Sequence, residues 1–207
     1  MPPGYENHPT SGYNASRLPD VELEIRALAG DNRLKEACTL GVRAYGPEIM
    51  SYLYALLEGE QDASEVFSDI LLKVWAGLPQ FRWQCSFRTW TYAIARRALI
   101  DHRRAQTKGR RQRRLSEVQG QLAAEVRSAT RSFLKSDRRR RLQQLREALD
   151  PEDQTLLILR VNRKLSWQEI AQVMADADLS PAEAQKSAAM LRKRFQRVKD
   201  ELRGRLK

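Results

Sequence analysis

A run of apolar residues at helical spacing constrains the fold of this chain more than any other feature of its sequence. In residues 62–78 the apolar positions step by three or four, which places them on one side of an α-helix. The stripe consists of Ala63, Val66, Phe67, Ile70, Val74 and Leu78. Asp62 can cap the first turn, and Pro79 ends the helix. The segment therefore predicts a helix that buries one side against neighbouring helices.

Helical spacing continues on both sides of this segment. Residues 21–57 predict two or three helices, with a break at Gly46 and Pro47. Residues 87–105 predict a further helix, and its inward positions are Phe87, Trp90, Ile94 and Ala98. Only 10 Gly and 8 Pro occur in 207 residues, too few for the many tight turns of an all-β chain. We therefore predict an all-α protein.

The C-terminal part carries the start signals of three helices. Asp150 can cap a helix that has Pro151 at its first position. Two capping boxes follow, each pairing a serine with a glutamate three residues later: Ser166 with Glu169, and Ser180 with Glu183. A short helix, a turn and a second helix at the end of a basic chain are typical of a helix-turn-helix DNA reader.

Positive charge is concentrated in the middle of the chain. Lys and Arg number 37 against 26 acidic residues, a net charge of +11. Residues 103–141 hold 14 basic and three acidic residues, which accounts for the whole excess. This balance favours a polyanionic partner, above all nucleic acid. We predict a flexible tail over residues 1–20, a helical bundle over 21–104, a basic linker over 105–141 and a helix-turn-helix domain over 142–207.

The predicted linker is not uniformly polar. Its apolar residues at helical spacing are Leu115, Val118, Leu122, Val126, Ala129 and Phe133. We expect a narrow amphipathic helix within a segment that otherwise resembles a tether. Its arginine clusters are expected to be either solvated or bound to an external partner, because like charges repel one another.

Other features exclude several classes of protein. The sequence has no run of 18 apolar residues and no secretion signal at its start, so we expect a cytoplasmic protein without membrane insertion. Cys38 and Cys85 form no C-x-x-C motif, and the only histidines are His8 and His102. Zinc-ligand spacing is therefore absent, and we expect no disulfide, no metal and no cofactor.

The last predicted helix has an apolar side and a basic side. Its stripe, expected to pack on Ile158, Val161, Ile170 and Val173, consists of Ala184, Ala188, Leu191, Phe195, Val198 and Leu202. The opposite side carries Lys186, Arg192, Lys193, Gln196, Arg197 and Asp200. Arg and Gln can form paired hydrogen bonds with purine edges, while Arg194 and Lys199 suit phosphates. A solvated basic face is the alternative, but the helix's place in the motif favours DNA recognition.

Aromatic and basic residues alternate around the start of the 87–105 helix. The cations are Arg82, Arg88, Arg96, Arg97, Arg103 and Arg104. Trp83, in a loop, and Tyr92, off the apolar stripe, are candidates to stack on unpaired bases. Trp90 lies on the stripe and is expected in the core.

At these residues the sequence resembles a known family. Residues 62–82 and 86–104 are similar to region two of the extracytoplasmic-function sigma factors, a group of the sigma-70 class of RNA polymerase sigma factors. Residues 145–174 and 191–203 resemble region four of the same family, in the family's order. The turn before the last helix is about six residues longer than the family's usual turn.

The resemblance implies roles for particular residues. Binding of core RNA polymerase would fall to Glu65, Ser68, Asp69, Leu72 and Lys73. Recognition of the promoter's minus-ten element would involve Arg82, Trp83, Gln84, Arg88, Tyr92, Arg96, Arg97 and Asp101. Recognition of the minus-thirty-five element would involve Lys186, Arg192, Lys193, Arg194, Gln196, Arg197 and Lys199.

The family also implies partners and a function. The partners would be core RNA polymerase, promoter DNA in double-stranded and melted form, and an anti-sigma factor. We expect a sigma factor that opens the duplex by trapping flipped bases and is not an enzyme. A nuclease or recombinase would need a metal-binding acidic cluster or an activated serine, which we do not find. The alternative is a helix-turn-helix repressor that acts without polymerase.

Overall fold

The computed structural model describes residues 18–57, 59–106, 117–131 and 149–205, and every regular element within them is helical. The elements are α1 (Leu18–Gly30), α2 (Leu34–Tyr54), α3 (Glu60–Gly77), α4 (Phe87–Gln106), α5 (Glu117–Arg131), α6 (Pro151–Leu157), α7 (Trp167–Met174) and α8 (Pro181–Arg205). A 3₁₀ turn, Leu78–Gln80, follows α3, and a π-helical turn, Ile158–Asn162, continues α6. The all-α prediction is confirmed.

The apolar stripe of α3 forms the centre of an N-terminal unit made of α1 to α5. All six predicted stripe residues are buried, and α3 packs against α2 and α4. The start of the helix differs from the prediction. It begins at Glu60, so Asp62 lies within the first turn, and its carboxylate is 3.8 Å from the His102 imidazole. The predicted end is confirmed, because the α-helix stops at Gly77 and Pro79 lies in the 3₁₀ turn.

The predicted break at Gly46 and Pro47 is wrong, because α2 continues through both residues. The chain reverses earlier, between Gly30 and Leu34, where Asn32 adopts a positive φ of 60°. Gly46 serves helix packing instead, since a β-carbon there would lie 2.8 Å from a methyl group of Val126 in α5. Close approach of two helices requires a residue without a side chain at this point.

The amphipathic helix predicted within the linker is present as α5. It packs on α2 and α3, where Leu122, Ala123 and Val126 are buried. Arg43 of α2 and Glu125 of α5 form an ion pair at 3.3 Å. This part of the linker is therefore attached to the N-terminal unit and is not a free tether. Both predicted arginine clusters, in residues 110–114 and 138–141, lie outside the described residues. Residues 1–17 of the predicted tail over 1–20 also lie outside them, whereas residues 18–20 are the first turn of α1, so order begins earlier than predicted.

Helices α6 to α8 form a C-terminal unit whose helix starts agree with the sequence. The Asp150 carboxylate accepts a hydrogen bond from the Glu152 amide at 2.9 Å. Ser166 and Glu169 form both bonds of a capping box, at 2.7 and 3.3 Å. Ser180 and Glu183 do the same before α8, at 2.9 and 3.4 Å. These caps satisfy amide groups that the first turn of a helix leaves unpaired.

The packing of α8 departs in part from the prediction. Val161, expected beneath the apolar side of α8, is 54% exposed, because it lies on the π-helical turn that follows α6. Ile158, Ile170 and Val173 are buried as predicted. The stripe of α8 is buried at Ala184, Ala188, Leu191 and Val198, and it is only half-buried at Phe195 and Leu202.

The two units pack against each other through α4 and α7. Buried apolar residues of both units, such as Tyr92 of α4 and Ile170 of α7, belong to one continuous core. This contact decides which of the predicted binding residues are accessible.

Candidate nucleic-acid and polymerase interface

The side of α3 opposite its buried stripe carries the five residues expected to bind polymerase. We call Glu65, Ser68, Asp69, Leu72 and Lys73 the α3 outer face, and each of its residues is half-buried. The Ser68 hydroxyl donates to the Ser64 carbonyl at 2.9 Å, and the Lys73 ammonium donates to Asp101 of α4 at 3.0 Å. Helix α3 thus presents two carboxylates and a leucine on a surface separate from the core.

The loop between the 3₁₀ turn and α4 contains the first predicted minus-ten residues. Arg82 and Gln84 are exposed, whereas Trp83 is half-buried and has a positive φ of 56°. The Trp83 ring lies 4.7 Å from Phe81, and the Arg26 guanidinium lies 5.9 Å from the Trp83 ring. Only part of the Trp83 ring is therefore open to a stacked base in this conformation.

Trp90 lies half-buried beneath this loop. Its ring stacks on Phe81 with centroids 4.5 Å apart and meets Phe87 edge-on at 5.6 Å. Trp90, expected in the core, packs against the core but is only half-buried. The aromatic group of Phe81, Phe87 and Trp90 supports the loop from below.

A glutamate from α1 holds the first turn of α4. The Glu22 carboxylate accepts hydrogen bonds from the amides of Phe87 and Arg88, at 2.8 and 2.9 Å. It supplies the acceptors that the unpaired amides of a helix start require. Sequence patterns could not find this cap, because Glu22 is far from Phe87 in the chain and no short motif joins them.

Three predicted minus-ten residues, Arg88, Tyr92 and Arg96, follow one another along α4 at intervals of four. We call them the α4 stripe. The prediction that Tyr92 faces a DNA strand does not hold in this conformation. Its side chain is fully buried, with its ring edge-on to Tyr52 at 5.6 Å. Apolar neighbours from both units surround α4 here, so the ring behaves as a core side chain.

The two arginines of the α4 stripe are held by carboxylates. The Arg88 guanidinium donates to both oxygens of Glu48 in α2, at 2.6 and 2.9 Å, and to the Arg163 carbonyl at 3.0 Å. Arg96, only 7% exposed, donates to Glu152 at 3.0 Å and to Asp176 at 3.3 Å. These carboxylates could not be predicted from the sequence, since local spacing carries no information on pairs formed between distant segments.

The remaining residues predicted to contact nucleic acid lie toward the end of α4: Arg97 and Asp101 from the minus-ten set, and Arg103 and Arg104 from the arginines near the aromatic residues. Arg97 is half-buried, and Arg103 donates to the Leu56 carbonyl at 3.1 Å. Arg104 and Asp101 are exposed, and Asp101 accepts from Lys73. Asp101 and Arg104 remain at the surface, whereas Tyr92 and Arg96 of the α4 stripe are buried.

Cys85 marks the edge of the contact between the two units. Burial, reinforced by the nearby carboxylates of Asp178, Glu22 and Glu169, raises the pKa of its thiol to about 11. Asp178 and Glu169 belong to the C-terminal unit, so the thiol lies where the two units meet. Cys38 is buried in the core, which raises the pKa of its thiol to about 12. Both cysteines are free thiols.

Helix α8 presents the basic surface that the sequence predicted. We call Lys186, Arg192, Lys193, Gln196 and Arg197 the α8 basic face, and all five are exposed. The Gln196 amide donates to Asp200 at 3.1 Å, which holds it along the helix. Trp167 of α7 borders this face, with the guanidinium of Arg160 at 4.8 Å and that of Arg192 at 6.0 Å from its ring.

Two further cations of α8 lie away from this face. Arg194 was expected to contact a phosphate, but its guanidinium is paired with Asp153 and, at 3.3 Å, with Asp150. It ties α8 to the first turn of α6, because these two carboxylates lie beside it in the folded unit. Lys199 is half-buried, with its ammonium 6.0 Å from the Phe195 ring.

The part of the chain that the structure describes contains no group of three or more His, Cys, Asp or Glu side chains arranged to hold a metal ion. None of its helices is both long enough and apolar enough to cross a bilayer.

Comparison with known proteins identifies relatives of the chain. A family model described as Sigma-70 region 2 matches residues 42–109, which run from within α2 to just beyond α4. The RNA polymerase sigma factor YlaC of Bacillus subtilis (strain 168) is 30% identical over 142 residues, which cover 64% of this chain and 76% of that protein. The RNA polymerase sigma-H factor of Pseudomonas aeruginosa (PAO1) is 29% identical over 164 residues, 75% of this chain and 82% of that protein.

Proposed function

Because this chain belongs to the extracytoplasmic-function group of the sigma-70 class of RNA polymerase sigma factors, we propose that it binds core RNA polymerase and directs it to two-element promoters. The protein acts by binding and is not itself a catalyst. It acts in the cytoplasm, because that is where bacterial promoter DNA is located. The relatives' names favour this function over that of a repressor that acts without polymerase.

The observation that carries the proposal is the exposure of the whole α8 basic face on the second helix of a helix-turn-helix. Arginine can bond to the O6 and N7 atoms of guanine, and glutamine can bond to adenine in the major groove. Arg192, Gln196 and Arg197 supply these groups on one helix side, where they enter a groove together. We assign this face to the minus-thirty-five element.

The N-terminal unit supplies the other two surfaces. The α3 outer face, with two carboxylates and a half-buried leucine beside them, is assigned to core polymerase. The loop with Arg82, Trp83 and Gln84, together with α4, is assigned to the minus-ten element. Aromatic rings beside cations hold unstacked bases of a melted strand. Base capture offsets part of the stacking energy lost on opening, about 1.4 kcal/mol per base-pair step.

An anti-sigma factor would complete the set of partners that the family implies. Such a partner would restrain the protein until a signal releases it. We assign no surface of this chain to it.

Transcription by purified core polymerase tests the proposed function. Genomic DNA fragments are transcribed with and without the protein, and the start sites are mapped. We expect new starts that share two sequence elements upstream at constant spacing, and co-purification of the protein with core polymerase. Binding of DNA without any new start would support a repressor and contradict the proposal.

A further inference from the structure

Six consecutive residues of α4, residues 91–96, are all buried. Successive residues of a helix point around its whole circumference, so this stretch must be covered on every side. Helices α2 and α3 cover one side, and α7 of the C-terminal unit covers another. Arg96 is one of these buried residues. Because arginine is rarely buried unless it is paired, its burial requires a partner of opposite charge.

The polar contacts across this junction have a common chemistry. The Arg96 guanidinium lies between the carboxylates of Glu152 and Asp176, and the Thr89 hydroxyl donates to Glu169 at 3.3 Å. All three acceptors belong to the C-terminal unit. An anionic oxygen pair bonded to a guanidinium is also the chemistry of a phosphate contact.

We infer that in the free protein the C-terminal unit masks the α4 stripe in cis, with Glu152 and Asp176 holding Arg96 in place of DNA phosphates. This inference rests on the assignment of α4 to the minus-ten strand. Masking and strand binding exclude each other, because α7 and the strand cannot both lie on the same side of α4. The units must separate before the minus-ten strand is bound.

The burial of the two ion pairs of Arg96 indicates which of them contributes more to the junction. The side chain of Arg96 is 8% exposed and that of Glu152 is 34% exposed, so water screens their ion pair only in part. Asp176 is 93% exposed and contributes less, as surface ion pairs do. The Arg88–Glu48 ion pair lies within the N-terminal unit, so it remains intact when the two units separate. Removing Glu152 together with Asp176 should therefore loosen the junction without disturbing either unit.

Cys85 provides a direct measurement of this opening. The full-length protein is alkylated with iodoacetamide, and peptide mapping separates Cys85 from Cys38, which is 1% exposed. In the double variant Glu152→Gln with Asp176→Asn, we expect alkylation of Cys85 to rise about tenfold, since a charge-assisted hydrogen bond changes an equilibrium by about that factor. Glu24→Gln with Asp31→Asn removes the same charge from exposed positions on and beside α1 and should leave the rate unchanged.

Binding of a labelled single-stranded oligonucleotide of random sequence measures the masking itself. The double variant should bind it about tenfold more tightly than the α1 control variant does. The two proteins have equal net charge, so a difference between them cannot come from net charge alone. An unchanged alkylation rate would overturn the closed state. Faster alkylation without tighter binding would overturn masking. Neither failure would contradict the sigma-factor function if the wild-type protein still directs core polymerase to defined starts.

Discussion

Gly46 of α2 and Val126 of α5 lie so close together that a β-carbon on Gly46 would be 2.8 Å from one methyl group of Val126 and 3.3 Å from the other. The Phe67 ring of α3 would lie 3.4 Å away. Three helices therefore meet at one glycine. The attachment of α5 to the N-terminal unit depends on this contact, because a branched side chain such as valine cannot turn away from a new methyl group.

The Gly46→Ala variant should lose about 1 to 3 kcal/mol of unfolding free energy, because overpacking forces α5 away from α2. Gly120→Ala is the matched control. A β-carbon at Gly120 would have no atom within 4 Å, so this change should stabilise α5 by up to about 1 kcal/mol through helix propensity. Urea unfolding of both variants measures the difference. Equal stability of the two would show that α5 does not pack here.

Charge reversal tests the α3 outer face. Glu65→Lys with Asp69→Lys should lower affinity for core polymerase at least about tenfold, since reversed charges in a docked interface meet like charge. The fold should persist, because both carboxylates lie opposite the buried stripe of α3. Glu24→Lys with Asp31→Lys makes the same charge change at exposed positions on and beside α1. Holoenzyme assembly is measured by gel filtration at physiological salt; wild-type affinity in the α3 variant would reject the assignment.

Two arginines of α8 should differ in their effects on DNA binding. Arg197→Ala should cost about 1 to 3 kcal/mol of discrimination between correct and altered minus-thirty-five sequences, if this exposed side chain pairs with a guanine. Arg194→Ala should instead lower the unfolding free energy by about 1 kcal/mol, because it removes the partly exposed pairs with Asp150 and Asp153.

Lys35→Ala, at an exposed position of α2, controls for the loss of one positive charge. Competition binding with promoter variants measures discrimination, and thermal unfolding measures stability. An equal loss on every sequence for Arg197→Ala would identify it as a phosphate contact.

The start of α8 should depend on pH through Glu183. Hydrogen bonds from the Ser180 hydroxyl and amide lower the pKa of this carboxyl below its ordinary value. A carboxyl whose pKa is lowered in the folded state stabilises the fold at pH values above its ordinary pKa. That contribution is lost as the pH falls through the pKa of the folded state. Ser180→Ala should return the pKa of Glu183 toward its ordinary value, measured by carboxyl-carbon NMR titration. The stability difference between wild type and Ser180→Ala should therefore be larger at neutral pH than in acid.

Local patterns were sufficient for most of the secondary structure. The stripe of α3, the caps at Asp150, Ser166 and Ser180, and the exposed side of α8 each depend on residues within one short segment of the chain. Periodicity and capping report such relationships directly. The predicted break at Gly46 and Pro47 was wrong because tertiary packing of α2 against its neighbours overrode the local preference for a break.

The sequence by itself determined that this chain is helical, where its C-terminal helices begin, and which side of α8 is basic, because each follows from neighbouring residues. Only the tertiary structure decided that α5 packs on α2, that Glu22 caps α4, and that Arg96 is held by Glu152 and Asp176. Such contacts join residues far apart in the chain: Arg96 and Glu152 are 56 positions apart, and Arg43 and Glu125 are 82 positions apart. No local period encodes such a pairing; the mutual burial of apolar faces brings its members together.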